Sequence, residues 1–301
     1  MSRISLALGP LLFHWPAVRI RDFYAAIADT APVERVYLGE VVCGKRWPRV
    51  RTALETAAER LAQAGKEVVW TTLAAPATSM EGRAQRDRLA GGDALVEIND
   101  ISALAHLAPG RPFVAGPLLN IYNEDAAAEL VARGCVRLCG NVELSLDAMA
   151  CIHRADPALE LERFAFGRMP LALSGRCYHA RLRGTPKDAC QFACEADPDG
   201  LTVSTLEGGS FLALNGVQVM SHGLALPGTS LDALRRAGVG TLRLSPQDMD
   251  MAAVATAFRR YCDGLIGADA LNRDLLALDP PGDFVDGYSR GLAGWRESAE
   301  L

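Results

Sequence analysis

A chain of 301 residues, half of them hydrophobic and 22% charged, carries enough apolar material for a large core, which excludes a disordered protein. A net charge of −5 with no long Lys/Arg stripe argues against nucleic acid as a direct partner, and charged or proline residues interrupt every apolar stretch that could span a bilayer. The N-terminus lacks a signal-peptide pattern, so the expected location is cytoplasmic. There the eight cysteines serve as metal ligands, catalysts or core residues rather than as a disulfide framework.

Short runs of apolar, branched residues alternate along the chain with amphipathic helical stretches. Residues 4–8 read as a first strand and 19–29 as the helix after it. A strand over 35–38 leads to a helix over 48–63. Pro48 suits its first turn, Val50, Leu54, Ala57, Ala58 and Leu61 form its stripe, and Gly65 stops it. Strands over 67–72, 94–98, 113–115 and 136–138 then alternate with helices over 81–90, 101–107, 124–132 and 145–154. Asp100 and Ser145 stand where N-caps belong.

A seventh strand over 161–166, an eighth over 241–244 and a last helix over 245–261 complete a TIM-like (β/α) barrel, closed or incomplete. Between the seventh and eighth strands lies a long cysteine-bearing insertion, about 167–225, with a hairpin near 210–220. Barrel and insertion are expected to occupy 1–264. Residues 265–301, with Pro280-Pro281-Gly282, read as a partly irregular covering segment.

Three cysteines of the insertion, Cys177, Cys190 and Cys194, follow a C-x12-C-x3-C pattern. Thiolates close in sequence on a loop can converge on a metal, and soft sulfur selects zinc, copper(I) or iron–sulfur clusters. Cys43 follows the second strand at its C-terminal end. In a barrel that end shares a face with the insertion, so Cys43 can complete a set of four. Cys151 and Cys262 read as core residues, and alternation would place Cys135 and Cys139 on one face of their strand.

The basic runs 45–51 and 176–187 read equally as solvated faces or as a positive rim for an anion. Glu40 either faces the site or is solvated. Of the five histidines only His179, two residues from Cys177, invites a test. The Gly91-Gly92 and Gly208-Gly209 pairs read as turns, and neither a phosphate loop nor a nucleophile elbow is present.

The run Phe164-Ala165-Phe166-Gly167-Arg168-Met169-Pro170-Leu171-Ala172-Leu173-Ser174-Gly175-Arg176-Cys177-Tyr178, followed by Cys190 and Cys194, resembles the collagenase-like peptidase family of unassigned mechanism, family thirty-two. Three further pieces narrow the likeness: Tyr37-Leu38-Gly39-Glu40 with Cys43, Pro186-Lys187-Asp188-Ala189-Cys190-Gln191-Phe192, and Asp197-Pro198-Asp199-Gly200. They resemble the cluster-carrying branch that serves oxygen-independent ubiquinone biosynthesis.

The resemblance implies a TIM-barrel-like protein whose Cys43, Cys177, Cys190 and Cys194 bind a [4Fe–4S] cluster. It implies a heterodimer with a UbiU-like homologous subunit, a UbiT-like lipid-binding accessory protein, a ubiquinone precursor as substrate and prephenate as oxygen donor. Many relatives carry a His-Gly pair and an extra cysteine before the Ser-Gly-x-Cys run. Phe166-Gly167 and Pro170-Leu171 stand there in this chain, which counts against a peptidase and leaves no obvious acid–base residue. The alternatives are a peptidase-like or tRNA-hydroxylation factor of the same family, and a structural partner protein whose metal, zinc for example, only holds the insertion.

Overall fold

The computed structural model describes residues 3–90 and 94–296, so the Gly91-Gly92 pair and the last residues of the tail lie outside the described residues. The chain begins with β1 (Ser5–Leu8), α1 (Ala17–Thr30), β2 (Arg35–Leu38), α2 (Trp47–Gln63), β3 (Glu67–Thr71), α3 (Ser79–Ala90) and β4 (Val96–Ile98). In α2, Pro48 sits in the first turn and Val50, Ala53, Leu54, Ala57 and Leu61 are buried. Gly65 leaves the helix in the left-handed region at φ +77°.

The expected helix after β4 is a 3-10 turn, Ile101–His106, capped by Asp100, whose side chain accepts from Ser102 N. Six residues with one buried side chain, Ala103, offer too short a stripe for an α-helix to pack. The chain continues with β5 (Phe113–Ala115), α4 (Glu124–Val131), β6 (Cys135–Gly140), α5 (Leu146–Ala155) and β7 (Glu160–Leu173). Asn123 and Ser145 cap α4 and α5 by accepting from Ala126 N and Ala148 N.

Then come α6 (Tyr178–Leu182), β8 (Leu201–Ser204), β9 (Ser210–Asn215), β10 (Gln218–Ala225), α7 (Leu231–Arg236) and β11 (Val239–Leu244). The helices α8 (Met251–Cys262) and α9 (Ala268–Leu276) and a short β12 (Phe284–Val285) end the described chain. Among the described residues, β1 to β7 and β11 form a parallel barrel, closed because β11 pairs with both β7 and β1. The TIM-like α/β barrel expected from the sequence is therefore the observed fold.

Outward strand residues such as Leu6, Val36, Leu38 and Leu242 pack beneath the helices in the main core. The barrel interior is different. A small apolar layer of Ala7, Tyr37, Val69 and Val114 shares it with buried charges. Arg243 pairs with Glu97 and Glu162, Arg35 pairs with Glu67, Glu160 and Glu162, and the Tyr37 hydroxyl donates to Glu162 at 2.8 Å.

The register of β5 on β6 skips one residue: Phe113 pairs with Cys135, but Val114 pairs with Arg137. The extra residue, Val136, sends Cys135 into the outer core and Arg137 toward the interior ion pairs. This corrects the expectation that strict alternation would put Cys135 and Cys139 on one face.

The strand β7 does not stop at the barrel. It runs through Gly167, at φ +109°, where a Cβ would lie 2.7 Å from Gln247 Nε2 and 2.9 Å from the Ser245 backbone oxygen. Only glycine fits this close approach. Beyond it the strand pairs antiparallel with β10, and β9, β8 and β12 extend that second sheet. Arg168, 3% exposed, donates to Asp199 Oδ2, His222 O and Pro281 O, tying insertion, hairpin and tail together.

Candidate metal centre

Beyond β2 the chain turns at Gly39, at φ +148°, where a Cβ would sit 2.7 Å from the Thr71 side chain and carbonyl. Glu40 follows and is buried, so the solvated reading of this residue does not hold. Its Oε1 accepts from Val42 N and Cys43 N, each at 2.9 Å, which bends the loop and presents Cys43. Burial raises the Glu40 carboxyl above its ordinary range, against the pull of Arg46 and the two amides.

Arg46 is the hub. It is 1% exposed, donates to Leu12 O at 2.9 Å and to Asn215 Oδ1 at 2.8 Å, and lies 3.8 Å from Glu40 Oε1. The solvated-face and rim readings of the run 45–51 both miss it. Its charge acts on two thiols, Cys43 and Cys194. Burial pushes both thiols up, and Arg46 pulls each of them back. Cys177 lies close enough to Cys194 to raise it further.

Cys177 stands at the N-cap position of α6, its thiol making no cap hydrogen bond, and Tyr178 N donates to Gly216 O at 2.8 Å. Cys190 follows the 3-10 turn Lys187–Ala189, and Lys45 Nζ donates to Lys187 O at 2.8 Å, clamping that turn to the Cys43 loop. Between Cys190 and Cys194 both Gln191 and Phe192 hold positive φ, 48° and 54°. Two adjacent non-glycine residues in that region cost of order 1–3 kcal/mol each, so the surroundings must hold this turn in place.

Arg49 stacks over the Phe192 ring at 4.5 Å and His14 packs against it at 5.4 Å. Burial, then Arg46 and Arg49, push the His14 imidazole down to about 4, so it is neutral beside Glu195 at neutral pH. His179 accepts from Gly216 N through Nδ1 at 3.1 Å, so its Nε2–H donates to Asp197 at 3.1 Å. His179 thus anchors α6 to the hairpin turn.

The structure brings Cys43 and Cys194 to Arg46, Cys177 to Cys194, and Cys190 onto the clamped turn. Among the described residues, no three His, Cys, Asp or Glu side chains are drawn together as a ready site for a metal ion. The donor chemistry nevertheless fits a multi-thiolate group: all four thiols are free, and two of them, Cys43 and Cys194, adjoin a buried cation. Cys135, Cys139 and Cys262 are buried elsewhere, and Cys151 is half-buried beside Arg154.

Sequence reasoning missed the polar cleft at the C-terminal mouth of the barrel. It has a volume of about 440 Å³ and is lined by Asn99, Asp100, Asn120, Asn141, Glu143 and Gln218. The signal was the cluster of amide residues just past successive strands, the positions that face the mouth of such a barrel.

Fold and site together define an α/β-barrel protein whose seventh strand runs on into a second sheet, with a cysteine-bearing segment between β7 and β8. The family model described as Peptidase family U32 matches residues 18–274, and the chain belongs to that family. A protein named collagenase, from Porphyromonas gingivalis (strain ATCC BAA-308 / W83), is 24% identical over 226 residues, 67% of this chain and 52% of the relative. The chain thus spans about half the length of that curated relative.

Among solved structures, N-acetylneuraminate lyase from Mycoplasma synoviae aligns with a TM-score of 0.43 at 9% identity, covering 91% of this chain and 78% of the other. Muconate lactonizing enzyme from Mucobacterium Smegmatis aligns with a TM-score of 0.37 at 15% identity, covering 78% and 66%. At these values nothing follows about activity. Among the described residues no helix is long and apolar enough to cross a membrane.

Proposed function

We propose that the chain is the iron–sulfur subunit of an oxygen-independent hydroxylase in anaerobic ubiquinone biosynthesis, a UbiV-like protein acting as a heterodimer with a UbiU-like subunit. The observation that carries this reading is that Cys43 and Cys194 adjoin the buried Arg46, with Cys177 near Cys194 and Cys190 on the turn clamped to the Cys43 loop. These four thiolates would hold a [4Fe–4S] cluster, which supplies electron transfer when bound. Arg46 offsets the negative charge of the thiolates, and Glu40 holds the Cys43 loop in shape.

Lys45 and Arg49 offer the positive rim that an anionic oxygen donor such as prephenate needs. A UbiT-like lipid-binding protein would deliver the ubiquinone precursor.

Anaerobic purification, with iron, acid-labile sulfide and zinc quantified beside a visible spectrum before and after dithionite, tests the site. Near-stoichiometric iron and sulfide with a reducible absorbance are expected. Zinc in a colourless protein that cannot be reconstituted with iron would leave the structural-metal reading. Normal anaerobic quinone synthesis in a deletion strain would sink the pathway.

The collagenase relative favours a second reading, hydrolysis of peptide bonds. Cleavage of a peptide substrate by the purified chain would support it. Loss of a tRNA hydroxylation in the deletion strain would point instead to RNA modification.

A further inference from the structure

The basic run around Cys177 takes no part in the site described above. Arg176, Arg181 and Arg183 are exposed, and Leu182 among them is 65% exposed. Arg176 directly precedes Cys177. Arg181 stands one helical turn beyond it, its backbone N–H donating to Cys177 O at 3.0 Å.

Several exposed arginines elsewhere meet carboxylates: Arg60 lies 2.6 Å from Asp29, Arg133 lies 3.8 Å from Glu129, and Arg260 lies 2.6 Å from Asp274. Among the described residues, Arg176, Arg181 and Arg183 form no ion pair, and the nearby Asp188 carboxylate faces Lys45 instead, at 3.8 Å. A chain of net charge −5 thus keeps uncompensated positive charge on one short segment. The dipole of α6 accounts for Arg181 and Arg183 at its C-terminal end. It does not account for Arg176, which stands at the N-terminal end, where a cation is unfavourable.

Arginine forks bind carboxylates through paired hydrogen bonds, and arginine is enriched at protein interfaces. The exposed Leu182 adds an apolar contact that another protein surface can cover. Nucleic acid fits less well, because it calls for a longer track of cations and the charge of the whole chain repels it.

We propose that Arg176, Arg181, Arg183 and Leu182 form a docking surface for a small acidic electron-carrier protein, seated over the segment that bears Cys177. The choice of an electron carrier rests on the proposed function, whereas the docking itself needs only carboxylates on the partner.

The full chain, purified anaerobically, is titrated by calorimetry with a plant-type [2Fe–2S] ferredoxin whose surface is rich in carboxylates. Saturable binding is expected at about 50 mM salt, weakened about tenfold at about 300 mM. The triple variant Arg176→Glu, Arg181→Glu, Arg183→Glu is expected to abolish binding while its iron, sulfide and melting temperature hold. The control triple Arg21→Glu, Arg236→Glu, Arg273→Glu changes three exposed arginines elsewhere and shifts the net charge equally. It is expected to bind within about twofold of the parent. No binding at low salt, insensitivity to salt, or equal loss in the two triples would each overturn the surface. So would tighter binding of single-stranded RNA through the same arginines, or a dimer of this chain that the first triple dissociates. A chain that carries its cluster but binds no ferredoxin loses the docking surface alone. A chain that binds ferredoxin yet holds no iron loses the proposed function, while the acidic-protein surface stands.

Discussion

Arg46 takes a positive charge to a place that water does not reach, and it is held by two protein oxygens and the nearby Glu40 carboxylate. Removing one partner of such a buried pair leaves the other charged and unpaired, which typically costs 3–5 kcal/mol. Arg46→Met is therefore expected to lower stability by about 3 kcal/mol, read by urea unfolding, and to release iron from protein purified anaerobically. An unchanged unfolding midpoint would remove Arg46 as the hub. The thiols divide at the same scale. Cys43→Ala is expected to lose bound iron, whereas Cys135→Ala keeps it, because Cys135 packs in the outer core and burial lifts its thiol to about 11. Equal iron in the two variants would unseat Cys43 as a ligand. The motif around Cys177, Cys190 and Cys194 could be read along the chain, but Arg46 could not, since its partners Leu12 and Asn215 are distant in sequence.

At the scale of elements, the loop that presents Cys43 depends on Gly39. A methyl group there meets the Thr71 backbone at 2.7 Å in a region of φ that side chains avoid. Gly39→Ala is expected to cost about 2–3 kcal/mol and to shift the Cys43 loop. Gly65→Ala shares the positive φ but meets no atom within 4 Å, so about 1 kcal/mol is expected. Thermal melts of the two variants check the difference, and equal losses would show that the contact with Thr71 is unimportant. The α2 stripe was legible because its apolar positions repeat at helical spacing. The bulge at Val136 was not, because a one-residue skip exists only in the pairing of β5 with β6.

At the scale of the whole molecule, the barrel is closed around buried charges and one small apolar layer. Burial alone would raise the Glu162 carboxyl, but Arg243, Arg35 and Arg137 override it and hold it below its ordinary value of 4.5. A carboxylate with a depressed folded value stabilises the protein above its unfolded value. That contribution is lost as pH falls from about 4.5 through the folded value. Glu162→Gln is expected to destabilise at pH 7 by about 3 kcal/mol and to flatten the acid limb of the stability curve below pH 4.5. Parallel acid limbs in the variant and the parent would show that another group drives acid unfolding. Polar and charged residues at alternate positions, as in Glu160-Leu161-Glu162 and Thr241-Leu242-Arg243, carried this signal in the sequence. It went unread because alternation alone does not say which face of a strand lies inside a closed barrel.

By itself the sequence determined the order of the barrel strands, most of the helices between them and the cysteine motif of the insertion, because each rests on local periodicity and spacing. Only the tertiary structure decided that β7 runs on through Gly167 into a second sheet, and that Arg46 sits buried beside Cys43 and Cys194. It alone put the ion pairs inside the barrel. Each of these joins residues far apart in the chain, and their meeting depends on strand closure and close packing, which no local pattern records.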